Sequence, residues 1–313
     1  MAMSGPAPST IPRCRSCGGD GATWRGSKVG RHLRRTFDYW HCPDCDYLFV
    51  DPFPGYGIYD EAYYQGKSAD PYVDYEAEYL DYRSTVRMLE FDDLWCVASG
   101  YIRRAVQPGQ VRWLDFGSGP GGLLRFLADR GKLAAQGREW SLDVSGHDIG
   151  YYADRLRGQG RFRILGAEAL AAEPDSSYDV ISMIEVIEHI EFPDPAIALA
   201  ARLLKPGGLL LLTTGNMASP VARLQGLGYA YCVPEIHVGL FTPRALGILY
   251  GRHGLDPILF RYDGTVRFKV IKTVRNPVLK VLAGWALRLP FAVGLVDALF
   301  GTSDMPSAVR RRP

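Results

Sequence analysis

An α/β architecture with a small metal-binding leader is predicted by three observations. From residue 111 onward, short apolar strands alternate with helical stretches. A glycine-rich turn at 113–122, WLDFGSGPGG, lies directly between one such strand and a helix. Ahead of it, two Cys-x2-Cys pairs are separated by 24 residues. At 313 residues and 47% hydrophobic, the chain can bury a large core plus an appendage. That apolar content excludes disorder as the main state. A net charge of +2 gives no general argument for nucleic acid as partner. With no uncharged apolar run long enough to span a bilayer and no basic-then-apolar leader, the chain reads as cytoplasmic.

Residues 1–12 are rich in Pro, Ser and Ala and are expected to be disordered. Residues 13–55 read as a zinc-ribbon-like unit. Cys14, Cys17, Cys42 and Cys45 form two knuckles, with Gly18, Gly19 and Pro43 permitting tight turns. In a reducing compartment four thiolates suit tetrahedral Zn²⁺, and a closed shell makes the ion structural. Residues 56–108 form a Tyr-rich helical connector or lid. From Tyr72, the spacing of Tyr75, Tyr79, Tyr82, Val86 and Leu89 follows a helical stripe that packs on the next domain or lines a cleft.

In the third unit, 109–272, strands are expected at 111–115, 136–141, 162–165, 179–184 and 209–213. Helices are expected at 121–130, 146–157, 195–204 and 242–253, the last with Thr242 as N-cap and Pro243 in its first turn. A closing antiparallel pair is expected at 258–262 and 266–271 around Asp263-Gly264. Residues 273–313 read as a basic amphipathic tail, because 265–313 carries nine Lys/Arg against two acids. Such a segment suits an anionic membrane surface or packs on the domain or a second copy of the chain.

The glycine turn lets the backbone approach a ligand at a helix N-terminus. By itself it leaves a dinucleotide enzyme and a nucleoside-binding transferase both open, with Glu139 at the distance of a ribose-binding acid.

The motifs that follow resemble class I S-adenosylmethionine-dependent methyltransferases. Asp115-Phe116-Gly117-Ser118-Gly119-Pro120-Gly121 resembles their first motif, and Gly137-Arg138-Glu139-Trp140-Ser141 the second, whose acid holds the ribose hydroxyls. Ala167-Glu168 matches the adenine border, Glu185-Val186-Ile187-Glu188-His189 the segment after the fourth strand, and Lys205-Pro206-Gly207-Gly208 the turn before the fifth. The resemblance implies a Rossmann-like seven-stranded methyltransferase sheet. It also implies S-adenosylmethionine held by Asp115, Gly117, Gly119, Gly121, Glu139, Ser141, Ala167, Glu168 and Glu185. An acid at the glycine turn suits a cationic sulfonium and would repel a pyrophosphate.

The four-cysteine leader with Tyr63-Tyr64 is similar to that of bacterial sugar and natural-product methyltransferases, implying a hydroxyl acceptor on a sugar, glycan or glycosylated small molecule. Deprotonation of a hydroxyl points to a histidine, with His237 the first candidate base and His189 the second. The basic tail allows that acceptor to be lipid-linked and the chain to sit at the inner face of the membrane. Ribbon-bearing RNA methyltransferases are the second reading. They are disfavoured for base amines because Ile184-Glu185-Val186-Ile187 stands where Asn/Asp-Pro-Pro-Tyr is usual. A cofactor-binding scaffold without catalysis is the third.

Overall fold

The computed structural model describes residues 8, 10–67, 75–258, 271, 274, 276–289, 292, 305 and 307–313. The expected disorder of 1–12, the Tyr72 start of the stripe, most of the pair at 258–271 and much of the tail lie largely outside them.

The main sheet begins with β4 (Gly109–Phe116), which leads through the glycine turn into α4 (Gly122–Arg130). A hairpin of β5 (Lys132–Ala135) and β6 (Arg138–His147) follows, then α5 (Tyr151–Gln159), β7 (Arg163–Leu165) and α6 (Ala167–Ala171). Next come β8 (Tyr178–Ile184), α7 (Pro193–Leu203), β9 (Leu204–Thr213), α8 (Pro220–Gln225), α9 (Pro243–Arg252), β11 (Leu255–Ile258) and β12 (Ser307–Arg311). Across the sheet the order is β7, β6, β4, β8, β9, β12, β11. β5 shares the β7 edge by pairing with the first half of β6. β4, β6, β7, β8 and β9 run parallel, and β12 enters antiparallel between β9 and β11. This is the expected seven-stranded Rossmann-like sheet, with β5 added.

Parallel strands covered on both faces read as continuous apolar runs. Accordingly every residue of β8 is buried, as are Leu209, Leu210, Leu211 and Leu212 of β9. Phe91, Leu94, Ala98 and Ile102 of α3 (Arg87–Ala105) cover one face, packing on Val111, Trp113, Leu209 and Leu211. Ile197 and Ala200 of α7, with Leu246 and Leu249 of α9, cover the other. Thr242 caps α9 by accepting the Ala245 N–H at 3.1 Å, as expected.

Three expectations need correction. The strand read at 136–141 runs to His147, because β6 pairs with all eight residues of β4, Gly109 opposite Trp140 through Phe116 opposite His147. The helix read from 146 therefore starts at Tyr151. The end of the tail belongs to the core: Val309 is fully buried in β12, Arg311 donates to Ser176 Oγ at 3.0 Å, and Arg312 pairs with Asp256 at 2.8 Å. Among the described residues of 273–313, α10 (Pro277–Ala286) keeps the exposed, apolar-faced character expected of the tail.

The leader is a separate antiparallel sheet of β1 (Thr23–Val29), β2 (Thr36–Cys42) and β3 (Tyr47–Asp51). Its fourth strand, β10 (Gly239–Leu240), comes from the far end of the chain and pairs with β3. The connector folds as α1 (Glu61–Tyr64), α2 (Tyr75–Asp81) and α3, so the single stripe is broken at a 3₁₀ turn over Tyr82–Ser84.

Candidate functional site

A cavity of about 1550 Å³ opens at the carboxyl ends of β4, β6 and β8, where ligands bind in open α/β sheets. Its floor is the turn after β4. Gly117 has φ +82° and a Cβ there would lie 2.4 Å from Val186, so only glycine fits. Gly119 (φ +47°) donates its N–H to Asp148 Oδ2 at 2.8 Å, and Asp148 Oδ1 also accepts the Gly150 N–H at 2.6 Å. Gly121 caps α4 in the left-handed conformation.

Asp115, Gly117, Gly119, Ala167, Glu185, His189 and His237 all line this cavity. Asp115 is 3% exposed, and burial pushes its carboxyl up to about 7 while the Ser182 hydroxyl, donating at 2.7 Å, works the other way. Glu139 and Ser141 are not at the site. Both are exposed on the β5-paired half of β6, at the opposite end of the strand. Glu168 is exposed outside the cavity as well. The acid level with the glycine turn is Asp148, one residue past the end of β6. Its signal in the sequence is the alternation Trp140, Leu142, Val144, which runs past residue 141.

The far wall comes from the segment between β9 and β10. Glu188 is fully buried, accepting from the Thr214 hydroxyl at 2.9 Å and from Tyr231. The Tyr231 hydroxyl oxygen also lies 3.0 Å from Glu185 Oε2, and its ring stacks on that of His237 at a centroid distance of 3.9 Å. His237 Nδ1 donates to Tyr231 O at 2.7 Å, and His189 Nδ1 to Ile236 O at 2.8 Å. Those bonds leave Nε2 of each neutral ring as the acceptor nitrogen. Burial, with His189 nearby, brings His237 down to about 4, so it is neutral near pH 7. Glu188, His189 and His237 bring ligating atoms within 4.8 Å of one another, a donor set suited to proton transfer or to a divalent cation. Tyr56, Tyr59, Tyr63, Tyr64 and Tyr75 line the cavity, whereas Tyr82 packs against Phe91 and Phe126.

The residues fit the implied cofactor. The turn leaves room for close backbone approach, Asp148 offers a carboxylate level with that turn, and Asp115, Glu185 and Glu188 favour a cationic group. Arg87, paired with Glu90 at 2.6 Å and through Nε with Glu78 at 3.6 Å, is a cavity cation the motifs did not reveal.

At the leader, Cys14 Sγ lies 3.6 Å from Cys45 Sγ, and Cys17 Sγ 3.5 Å from Cys42 Sγ. Four thiolates at about 2.3 Å from one ion stand about 3.8 Å apart in a tetrahedron, so the cluster fits zinc.

Residues 82–259 match the model of a family described as "Methyltransferase domain". Ubiquinone biosynthesis O-methyltransferase of Xanthomonas oryzae pv. oryzae is 33% identical over 136 residues, covering 42% of this chain and 54% of that protein. Its Methylococcus capsulatus counterpart is 31% identical over 129 residues, covering 40% and 52%. The chain thus spans about half the length of the curated relatives it matches. A putative sarcosine dimethylglycine methyltransferase from Galdieria sulphuraria is 17% identical over 74% of this chain and 88% of that one, with a TM-score of 0.45. With more than half of its residues inside the family model, and with the glycine turn and its acids assembled at one cavity, the chain belongs to the methyltransferase-domain family.

Proposed function

We propose that this protein transfers a methyl group from S-adenosylmethionine to a hydroxyl of a sugar, glycan or glycosylated small molecule. The observation that carries the transfer to oxygen is His237, neutral and half-buried beside Glu188 in the same cavity as the Gly117–Gly119 turn. When bound, the cofactor supplies an electrophilic methyl carbon. This chain's residues then have two tasks: to hold the acceptor in line and to remove its proton. His237 Nε2 accepts that proton, and Glu188 favours the imidazolium that results. The curated relatives are O-methyltransferases by name, which supports oxygen over nitrogen. The sugar assignment rests on the four-cysteine leader and on the tyrosine wall, which offers both ring faces and hydroxyls. Carbon methylation at an acidified position would use the same base.

A second reading is favoured by the 4.8 Å cluster: a divalent cation on Glu188, His189 and His237 would acidify the acceptor hydroxyl. Recovery of activity after chelation on adding manganese or cobalt, metals suited to two imidazoles and a carboxylate, would select it over the histidine base.

The test is transfer of labelled methyl into a cell extract separated into RNA, lipid-soluble and small polar pools. Nuclease-resistant label in the polar or lipid pool is the expected result. Label released by nuclease assigns the ribbon to RNA methylation and overturns the acceptor. Cofactor binding without transfer to any pool identifies a scaffold.

A further inference from the structure

The cavity is electrically divided. Its sheet side carries Glu78, Asp115, Asp148 and Glu185, with Arg87 as that side's cation among the described lining residues. Its other cations, Lys28 and Arg31, come from the β1–β2 hairpin of the four-cysteine sheet. That hairpin is built into the site. Glu235, fully buried, accepts the backbone N–H groups of Arg31 at 2.8 Å, His32 at 2.9 Å and Leu33. Lys28 Nζ donates to Cys232 O at 2.5 Å. Gly30 is required for the close approach, since a Cβ there would lie 2.5 Å from the Glu235 carboxylate. These ties fasten the hairpin to the segment that carries Tyr231 and His237.

Lys28 is half-buried, and burial together with the Arg31 charge pulls its ammonium below the usual lysine range. Two neighbouring cations on a cavity wall repel each other, and Glu235 is already occupied by three backbone donors. An anion between them would relieve that repulsion. The acids on the sheet side suit a cationic cofactor and repel an anion, so an anionic group is better placed at the hairpin, where Glu235, the acid lining that side, is held by three backbone N–H groups.

We propose that the β1–β2 hairpin is the acceptor-recognition element, with Lys28 and Arg31 binding a phosphate or diphosphate carried by the acceptor away from its reacting hydroxyl. This rests on the methyl-transfer reading above and names the substrate class of the same site. The four-cysteine sheet would then serve substrate selection as well as stability.

The test is calorimetric titration of the full chain, saturated with S-adenosylhomocysteine, with inorganic pyrophosphate. Binding by the wild type is expected, weakened about tenfold in Arg31→Ala and in Lys28→Met and unchanged in Arg104→Ala, which is exposed outside the cavity. Unaltered binding in both hairpin variants, or none in the wild type, overturns the proposal. Phosphatidylglycerol vesicles form the second arm. Arg31-dependent vesicle binding without a pyrophosphate response assigns the cations to a lipid surface and also overturns it. Affinity for S-adenosylhomocysteine is read in the same samples: its loss would strike the methyltransferase reading, whereas its retention isolates the hairpin.

Discussion

The Gly119 N–H donates to Asp148 Oδ2 at 2.8 Å, joining the turn after β4 and the acid after β6 into one corner of the cavity. The parallel register behind that bond places Asp115 opposite Gly146, so the residues just beyond each lie side by side. Asp148→Ala should weaken S-adenosylhomocysteine binding by about 2 to 4 kcal/mol through loss of charge-assisted hydrogen bonds. Glu139→Ala should leave affinity unchanged. Calorimetry on both variants checks the pair, and the opposite ranking would return the ribose role to Glu139.

Asp115 couples cofactor binding to stability. Its folded pKa of about 7 is above the unfolded value, so folding favours the protonated form. Stability from this group is present below about pH 4 and is lost as pH rises through 7. Asp115→Asn should therefore raise the apo Tm at pH 8, by about 2 kcal/mol or less in stability, and change it little at pH 5. Cofactor affinity should fall in the same variant. Paired thermal melts and titrations read both effects.

For His237 the sign is reversed. Its folded pKa of about 4 is depressed, so stability from the half-buried neutral ring is full above about pH 6.5 and is lost as pH falls towards 4. A base of this kind gives methyl transfer an acidic limb well below the usual histidine range. His237→Gln should cut transfer about 100-fold or more while leaving S-adenosylhomocysteine affinity intact. Transfer unchanged in His237→Gln would overturn its role as the base.

The four-cysteine cluster should hold one zinc per chain, measured by elemental analysis. Cys42→Ser should release it and loosen the ribbon while the main sheet retains cofactor binding. Glu235→Ala should reproduce part of that effect at the other end of the hairpin: fewer protected amides at 31–33 in hydrogen exchange, with zinc retained.

α10 supplies a further measurement. Val278, Leu279, Val281, Leu282 and Trp285 are exposed on it, Trp285 at 67%, with Lys280 on the helix and Arg288 just beyond. Among the described residues no helix is long and apolar enough to cross a membrane. Flotation with phosphatidylglycerol vesicles, reduced several-fold by Leu282→Asp, is the expected result for a surface-lying helix. Concentration-dependent dimerisation abolished by the same change would assign the face to a second copy. Truncation near residue 272 is an unsuitable control, since it removes β12 from the core sheet.

By itself, the sequence determined the α/β class, the four-cysteine cluster and the glycine turn, because each depends on local rules. Cysteine spacing, positive-φ glycines and apolar periodicity are properties of short segments. The tertiary structure decided what depends on register and long-range pairing. It put Asp148 at the cavity and Glu139 outside it, because the length of β6 is set by its pairing with β4 rather than by its own composition. It placed Val309 in the core sheet and Gly239 in the ribbon sheet, since strand neighbours far apart in sequence leave no local trace. It brought Glu235 to residues 31–33 and Glu188 to His237, because a buried carboxylate finds its partners only when separate elements close over it.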